Sequence, residues 1–174
     1  MSLPPESPVP SSGAAGSNRG ITLRFLAEPS DVNFGGKVHG GAVMKWIDQA
    51  GYACAVGWSG HYCVTVYVGG IRFLRPIMIG YVVEVEARVI HTGRTSMHIA
   101  ITVRAGDLRE GGLGETTRCT MVFVAVSSTG APVPVHIWTP ATAEDMALKN
   151  YALQQIELRQ AMERFLEPTQ AAKD

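Results

Sequence analysis

The chain has 174 residues, enough for one domain whose core needs neither disulfides nor a structural metal. Fifteen basic residues balance fifteen acidic ones, so no overall field draws the molecule to nucleic acid or an anionic membrane, and any anionic ligand must be held locally. The three cysteines, Cys54, Cys63 and Cys119, are odd in number and lack C-x-x-C spacing, which suits a reducing compartment and predicts buried free thiols.

Residues 1–19 are rich in Pro, Ser, Gly and Ala and predict a flexible tail; with no apolar core segment and no basic start, they do not form a secretory signal. No later run reaches the roughly 18 apolar residues of a membrane span, so no stable membrane insertion and a cytoplasmic location are expected. Residues 21–27 read as a first strand, and Pro29, Asp31 and Asn33 open a loop. That loop runs into "VHGGAVMKWIDQAG", which has helical spacing. At 100° per residue Val43, Ile47, Ala50 and Cys54 fall on one line, with Lys45 and Gln49 opposite and Asp48 at the edge of the apolar sector. A helix with so little polar surface needs something wrapped around it.

Four β-rich runs follow. In the second, Val83, Val85, Ala87 and Val89 alternate with Glu84, Glu86 and Arg88; in the third, Met97, Ile99, Ile101 and Val103 alternate with His98, Ala100, Thr102 and Arg104. "HTGR" between them reads as a hairpin turn in which Gly93 supplies left-handed backbone angles. "TMVFVAV" is apolar on both faces, which places it centrally in the sheet or at a subunit interface. Residues 142–166 return to helical spacing, with Thr142 and Asp145 resembling a capping box and Pro168 ending the run. The chain divides into a tail (1–19), one domain (20–140) and a C-terminal helix with its own tail (141–174). One long buried helix against a curved antiparallel sheet, plus a terminal helix, is an α+β arrangement of the hotdog type.

Gly40 and Gly41 are poor helix material at a helix mouth, but the first amides of a helix lack intrahelical partners and carry the positive end of the macrodipole. Glycine lets a carbonyl oxygen approach them closely, as in an oxyanion hole. Asp48 is then a candidate general base or nucleophile, its basicity raised by partial burial; the competing reading is an ordinary surface pair with Lys45. The five histidines form no H-x-x-x-H or H-E-x-x-H pattern, so no metal site is predicted, and G-x-S-x-G is absent. Arg94 with Thr95 and Ser96 in the hairpin turn offers donors for phosphate, and Arg72 and Arg75 close the strand "GGIRFLRP"; for each arginine an ordinary solvated position competes.

With these residues in place, the segment P-S-D-x-N followed by H-G-G-x-x-M-x-x-x-D, together with "RFLRPI", "GRTS" and "FVAVSSTGAPVPV", resembles the acyl-CoA hydrolases of the hotdog superfamily, in the branch of YciA-type bacterial thioesterases and the brain cytosolic hydrolase. The resemblance covers residues 21–137. It implies an acyl-CoA thioesterase working at a dimer interface, with Asp48 of one protomer and Asn33 of the other flanking the thioester carbonyl, and amides near Gly40 and Gly41 holding its oxygen. It also implies a coenzyme A arm along the subunit boundary, with His39, Arg75, Arg94, Thr95 and Ser96 on the substrate side. No cofactor is implied, since coenzyme A belongs to the substrate. The minimal unit is a homodimer, and hexamers of three dimers are common in that branch. His39 stands where relatives commonly carry an aromatic residue, and Gly69-Gly70 stands where they often carry a polar one. Two other readings stay open: a non-catalytic acyl-CoA binding or sensing module, and a hydratase or dehydratase on the same fold, which needs a histidine paired with a second polar catalyst.

Overall fold

A computed structural model describes Gly16 and residues 18–166, so most of the predicted N-terminal tail and the last eight residues lie outside the described part. In chain order the elements are β1 (Gly20–Leu26), a short 3-10 turn (Pro29–Asp31), α1 (Gly40–Ser59), β2 (Tyr62–Phe73), β3 (Val82–Thr92), β4 (Ser96–Gly106), β5 (Gly114–Val126) and α2 (Ala143–Leu166). The five strands form one antiparallel sheet in the order β1-β3-β4-β5-β2. The hotdog arrangement expected from the sequence is the observed one.

The alternation in β3 explains how the sheet meets the helix. Val83, Val85, Ala87 and Val89 are fully buried, while Glu84, Glu86 and Arg88 between them are half-buried. On α1 the predicted line of Val43, Ile47, Ala50 and Cys54 is buried against that face, joined by Trp46 and Trp58. "TMVFVAV" belongs to β5, between β4 and β2, and both its faces are covered: Met121, Phe123 and Ala125 join the core with α1, and Val122 lies beside Gln155, Ile156 and Arg159 of α2. The helix ends at Gly60, whose φ of 70° is the left-handed angle a C-terminal glycine supplies.

Close approach of α1 to the sheet depends on Gly51. A Cβ there would lie 2.8 Å from Phe123 Cε2 and 3.1 Å from Ile101 Cδ1, both on fully packed side chains. Gly51→Val is therefore expected to destabilise the fold by about 3 kcal/mol, lowering the melting temperature by roughly 10 °C, despite losing a poor helix former. Thermal denaturation checks this, and an unchanged melting temperature would show that the helix can lift from the sheet at no cost.

Three local expectations are corrected. Gly93 does not have a positive φ; a Cβ there would sit 2.7 Å from Ser96 Oγ across the turn, a close approach that rotation of the hydroxyl relieves. The capping box at α2 is shifted by one residue: the Asp145 amide donates to Thr142 Oγ1 at 3.1 Å, but the main backbone donor to the Asp145 carboxylate is the Ala141 amide at 3.1 Å, with Thr142 the weaker one. Its other oxygen is drawn to the Arg19 guanidinium at 2.5 Å. Arg19, placed in the tail by composition, thus belongs to the folded body: it also donates to the Val89 carbonyl at 2.9 Å and stacks 4.3 Å from the Trp138 ring centroid. The Ala141 amide, followed by Arg19, holds the Asp145 carboxyl below the usual range.

The sheet leaves β2 at an edge with its outer backbone groups unpaired within the protomer. Register shifts occur at Thr65/Tyr67 and Gly69/Arg72, and Val66, Val68 and Phe73 are exposed. On α1 the neighbouring stripe, Met44, Asp48 and Tyr52 at spacings of four, is exposed as well. Helix α2 covers the opposite face, where Glu144 pairs with Arg88 and Arg159 stacks over the Tyr67 ring.

Candidate active site

The loop before α1 is shaped by Asn33. Its Oδ1 accepts from the amides of Gly35 at 2.8 Å and Lys37 at 3.2 Å, and its backbone N–H donates to the Lys37 carbonyl at 2.7 Å. The side-chain oxygen is committed to the turn, so only Nδ2 can serve a ligand; it makes a long 3.4 Å contact to the Val38 carbonyl. Asn33 can therefore donate to a substrate oxygen but is poorly placed to accept from one.

At the helix mouth His39 is the N-cap, and its Nδ1 accepts from the Gly41 amide at 2.9 Å. The ring nitrogen thus serves as the acceptor of the helix cap, which narrows the sequence reading of two free amides at Gly40 and Gly41. The Gly41 N–H is already capped, while the Ala42 and Val43 amides donate to the His39 carbonyl. Among the described residues that leaves the Gly40 N–H as the unengaged amide of this turn. Asn33, Gly40, Phe73 and Arg75 line one cleft of about 330 Å³. Arg75 is anchored there by Nε donating to the Glu115 carbonyl at 3.0 Å, which leaves its terminal amino groups for an anion.

Asp48 is not in that cleft. It lies eight residues along α1 from Gly40, about 12 Å of helix rise, and is exposed in the protomer, so the predicted partial burial is not supplied by its own chain. Its Oδ1 accepts from the Thr65 hydroxyl at 2.9 Å, and no ion pair joins it to Lys45 among the described residues. Thr65 was missed by sequence reasoning; the available signal was the one aliphatic hydroxyl in the run "CVTVYV", sited where the β2 bulge re-aims the strand.

The third group is also apart. Arg94, Thr95 and Ser96 lie at the β3–β4 turn, whose neighbours are Val124 and Ala125 near the start of β2, at the C-terminal end of α1. Within one protomer, then, Asn33, Gly40 and Arg75 come together, Asp48 and Thr65 face outward two turns away, and Arg94 with its hydroxyl neighbours occupies the far end.

Burial excludes the cysteines as nucleophiles at neutral pH, pushing the Cys54 and Cys119 thiols up to about 12 and raising Cys63. His98, with its ring tilted against His91 at 5.4 Å beneath α2, is pushed down to about 4 by burial first and then by His91 and Arg159, so it stays neutral and structural. Among the described residues no group of three His, Cys, Asp or Glu side chains converges as a metal site.

A hotdog sheet around a helix with this mouth defines a class, and comparison with known proteins gives it a family. The thioesterase superfamily model matches residues 35–112. The acyl-CoA thioester hydrolase YciA of Salmonella typhimurium is 35% identical over 120 residues, covering 67% of this chain and 90% of that protein. A hexameric acyl-CoA thioesterase crystallised in its apo form is 30% identical, with a TM-score of 0.81 over 86% of this chain and 96% of the other. An acyl-CoA hydrolase from Staphylococcus aureus, solved with butyryl coenzyme A and coenzyme A, is 25% identical, with a TM-score of 0.79 over 91% and 96%. The chain belongs to the acyl-CoA thioester hydrolases of the thioesterase superfamily.

Proposed function

We propose that this chain hydrolyses acyl-CoA to a free carboxylic acid and coenzyme A at a site completed by two protomers. The observation that carries the two-chain reading is the separation within one protomer: the carbonyl-binding donors and the carboxylate stand about 12 Å apart along α1, too far to act on one thioester. Both face the unpartnered side that carries the β2 edge. A two-fold axis beside β2 sets the helices antiparallel, which brings the Asp48–Thr65 pair of one chain toward the Asn33–Gly40 mouth of the other. The same operation carries Arg94, Thr95 and Ser96 from the far end of one protomer toward the Arg75 cleft of its partner, where these donors and His39 suit the phosphates and pantetheine of coenzyme A.

In this site the thioester oxygen accepts from the Gly40 amide and Asn33 Nδ2, at the positive end of the α1 dipole. The Thr65 hydroxyl occupies one oxygen of Asp48 and orients the carboxylate, leaving the other for water, which favours a general base over a nucleophile. Water attacks the carbonyl carbon and Asp48 takes its proton; the tetrahedral intermediate then collapses, the C–S bond breaks, and the coenzyme A sulfur leaves with the electron pair and receives the proton. The reaction so written needs no metal or redox cofactor. Hexamers, as in the apo neighbour above, would be built from such dimers. The described helices include none long and apolar enough to cross a membrane, three free, buried thiols suit a cytoplasmic setting, and the balanced charge gives no general attraction to nucleic acid.

The hydratase reading is disfavoured because His39 Nδ1 is spent on the helix cap. A purified sample mixed with acetyl- to palmitoyl-CoA and a thiol-trapping dye tests the proposal. Steady thiol release is expected; saturable binding without release would instead assign the chain as a binding or sensing module.

A further inference from the structure

Phe34 is the most exposed large apolar side chain among the described residues, with a relative accessibility of 112%. Its position is enforced. It follows Asn33 in a turn held by the two amides on Asn33 Oδ1, by the Gly36 N–H to Asn33 carbonyl bond at 3.1 Å, by Gly36 at φ 72°, and by the Val32–Val38 bridge at its base. A turn so pinned fixes where the Phe34 backbone projects its ring, which is uncovered by its own protomer. An aromatic side chain held rigidly in solvent beside a substrate-binding residue is poised for contact with another body.

The two-fold arrangement identifies that body. It carries the Asn33 turn to the partner's exposed stripe, where Met44 and Tyr52 flank Asp48 on α1 and the exposed Val66 and Val68 follow Thr65 on β2. Phe34 then faces an apolar wall with the scissile carbonyl beside it. We propose that Phe34 closes the acyl pocket of the partner subunit, the alkyl chain passing between its ring and the partner's Met44–Tyr52 stripe, so that Phe34 sets the preference for longer acyl groups. An alkyl chain suits this place because it offers no polar group to two apolar walls, whereas the phosphates of coenzyme A are drawn to the arginines. The inference rests on the thioesterase reading given above.

S-alkyl-CoA thioethers from methyl to octyl, which cannot be hydrolysed, separate the two by calorimetric titration of the full chain. Wild-type affinity is expected to rise with chain length, by about three- to fourfold per buried methylene. In Phe34→Ala the octyl analogue should lose about tenfold while the methyl analogue changes less than twofold, and Phe34→Leu should recover most of the loss, with the oligomer unchanged by size-exclusion chromatography. Equal losses at every chain length, an unaltered octyl affinity, dissociation of the oligomer by Phe34→Ala, or failure of the wild type to bind any analogue would each overturn the proposal. A Phe34-dependent slope without thiol release from the matching thioesters would sink the hydrolase reading alone. Hydrolysis by Phe34→Ala with an unchanged chain-length profile would sink only the role of Phe34.

Discussion

Asp48→Asn is expected to lower acyl-CoA turnover by about 10²- to 10⁴-fold, the range a positioned general base contributes, while leaving the melting temperature and the oligomer unchanged. The substitution is nearly isosteric, and the asparagine carbonyl can still accept the Thr65 hydroxyl that Asp48 accepts at 2.9 Å. What it removes is the negative charge and proton affinity of the second oxygen. Because Asp48 is exposed in its own protomer and makes no ion pair with Lys45, no folding interaction is lost with the charge. The loss should fall on kcat, with substrate binding nearly intact, since the base acts in the transition state. Near-normal turnover in a purified, fully oligomeric variant would remove Asp48 from the mechanism and return it to an ordinary surface role.

The periodicity of the sequence carried much of the architecture. The line from Val43 to Cys54 and the alternation in β3 are direct consequences of a helix and a sheet sharing one apolar interface, and both are visible in a single chain. The corrections came where the outcome depends on a side-chain contact that only the folded chain displays. Asp145 reads as a capping residue until Arg19, far along the chain, competes for its second oxygen. Gly93 reads as a left-handed glycine until Ser96 is seen occupying the space of its missing Cβ.

The candidate site followed the same division. Gly40 and Asn33 were legible because helix mouths and their preceding loops have local signatures. The cap that His39 places on Gly41 was not, since it depends on a ring rotamer. Thr65 was not, because only the fold lays β2 beside the middle of α1, joining residues 17 apart into a hydrogen-bonded pair. Asp48 was legible as an outlier on an apolar helix, but that it stands uncovered in the protomer, held by Thr65, was not.

Mixing two inactive chains should therefore restore activity. Asn33→Ala removes the Nδ2 donor and both amide clamps of the loop, whereas Asp48→Asn removes the base, so each homodimer carries two defective sites. In a heterodimer, if the site is shared, the native Asp48 of the Asn33→Ala chain meets the native Asn33 of the Asp48→Asn chain, while the other site collects both substitutions. Random reassortment gives heterodimers in half of the population, each with one intact site of two, so about a quarter of wild-type turnover should return. The background is at least about 100-fold lower, which makes the gain easy to measure after co-expression with distinguishable tags. The tags also allow the heterodimer to be isolated, where about half the wild-type rate is expected. If each site were built from a single chain, every heterodimer site would carry one defect and no recovery would occur. Restored turnover is thus a direct reading of the path by which α1 of one protomer supplies the base for the helix mouth of another.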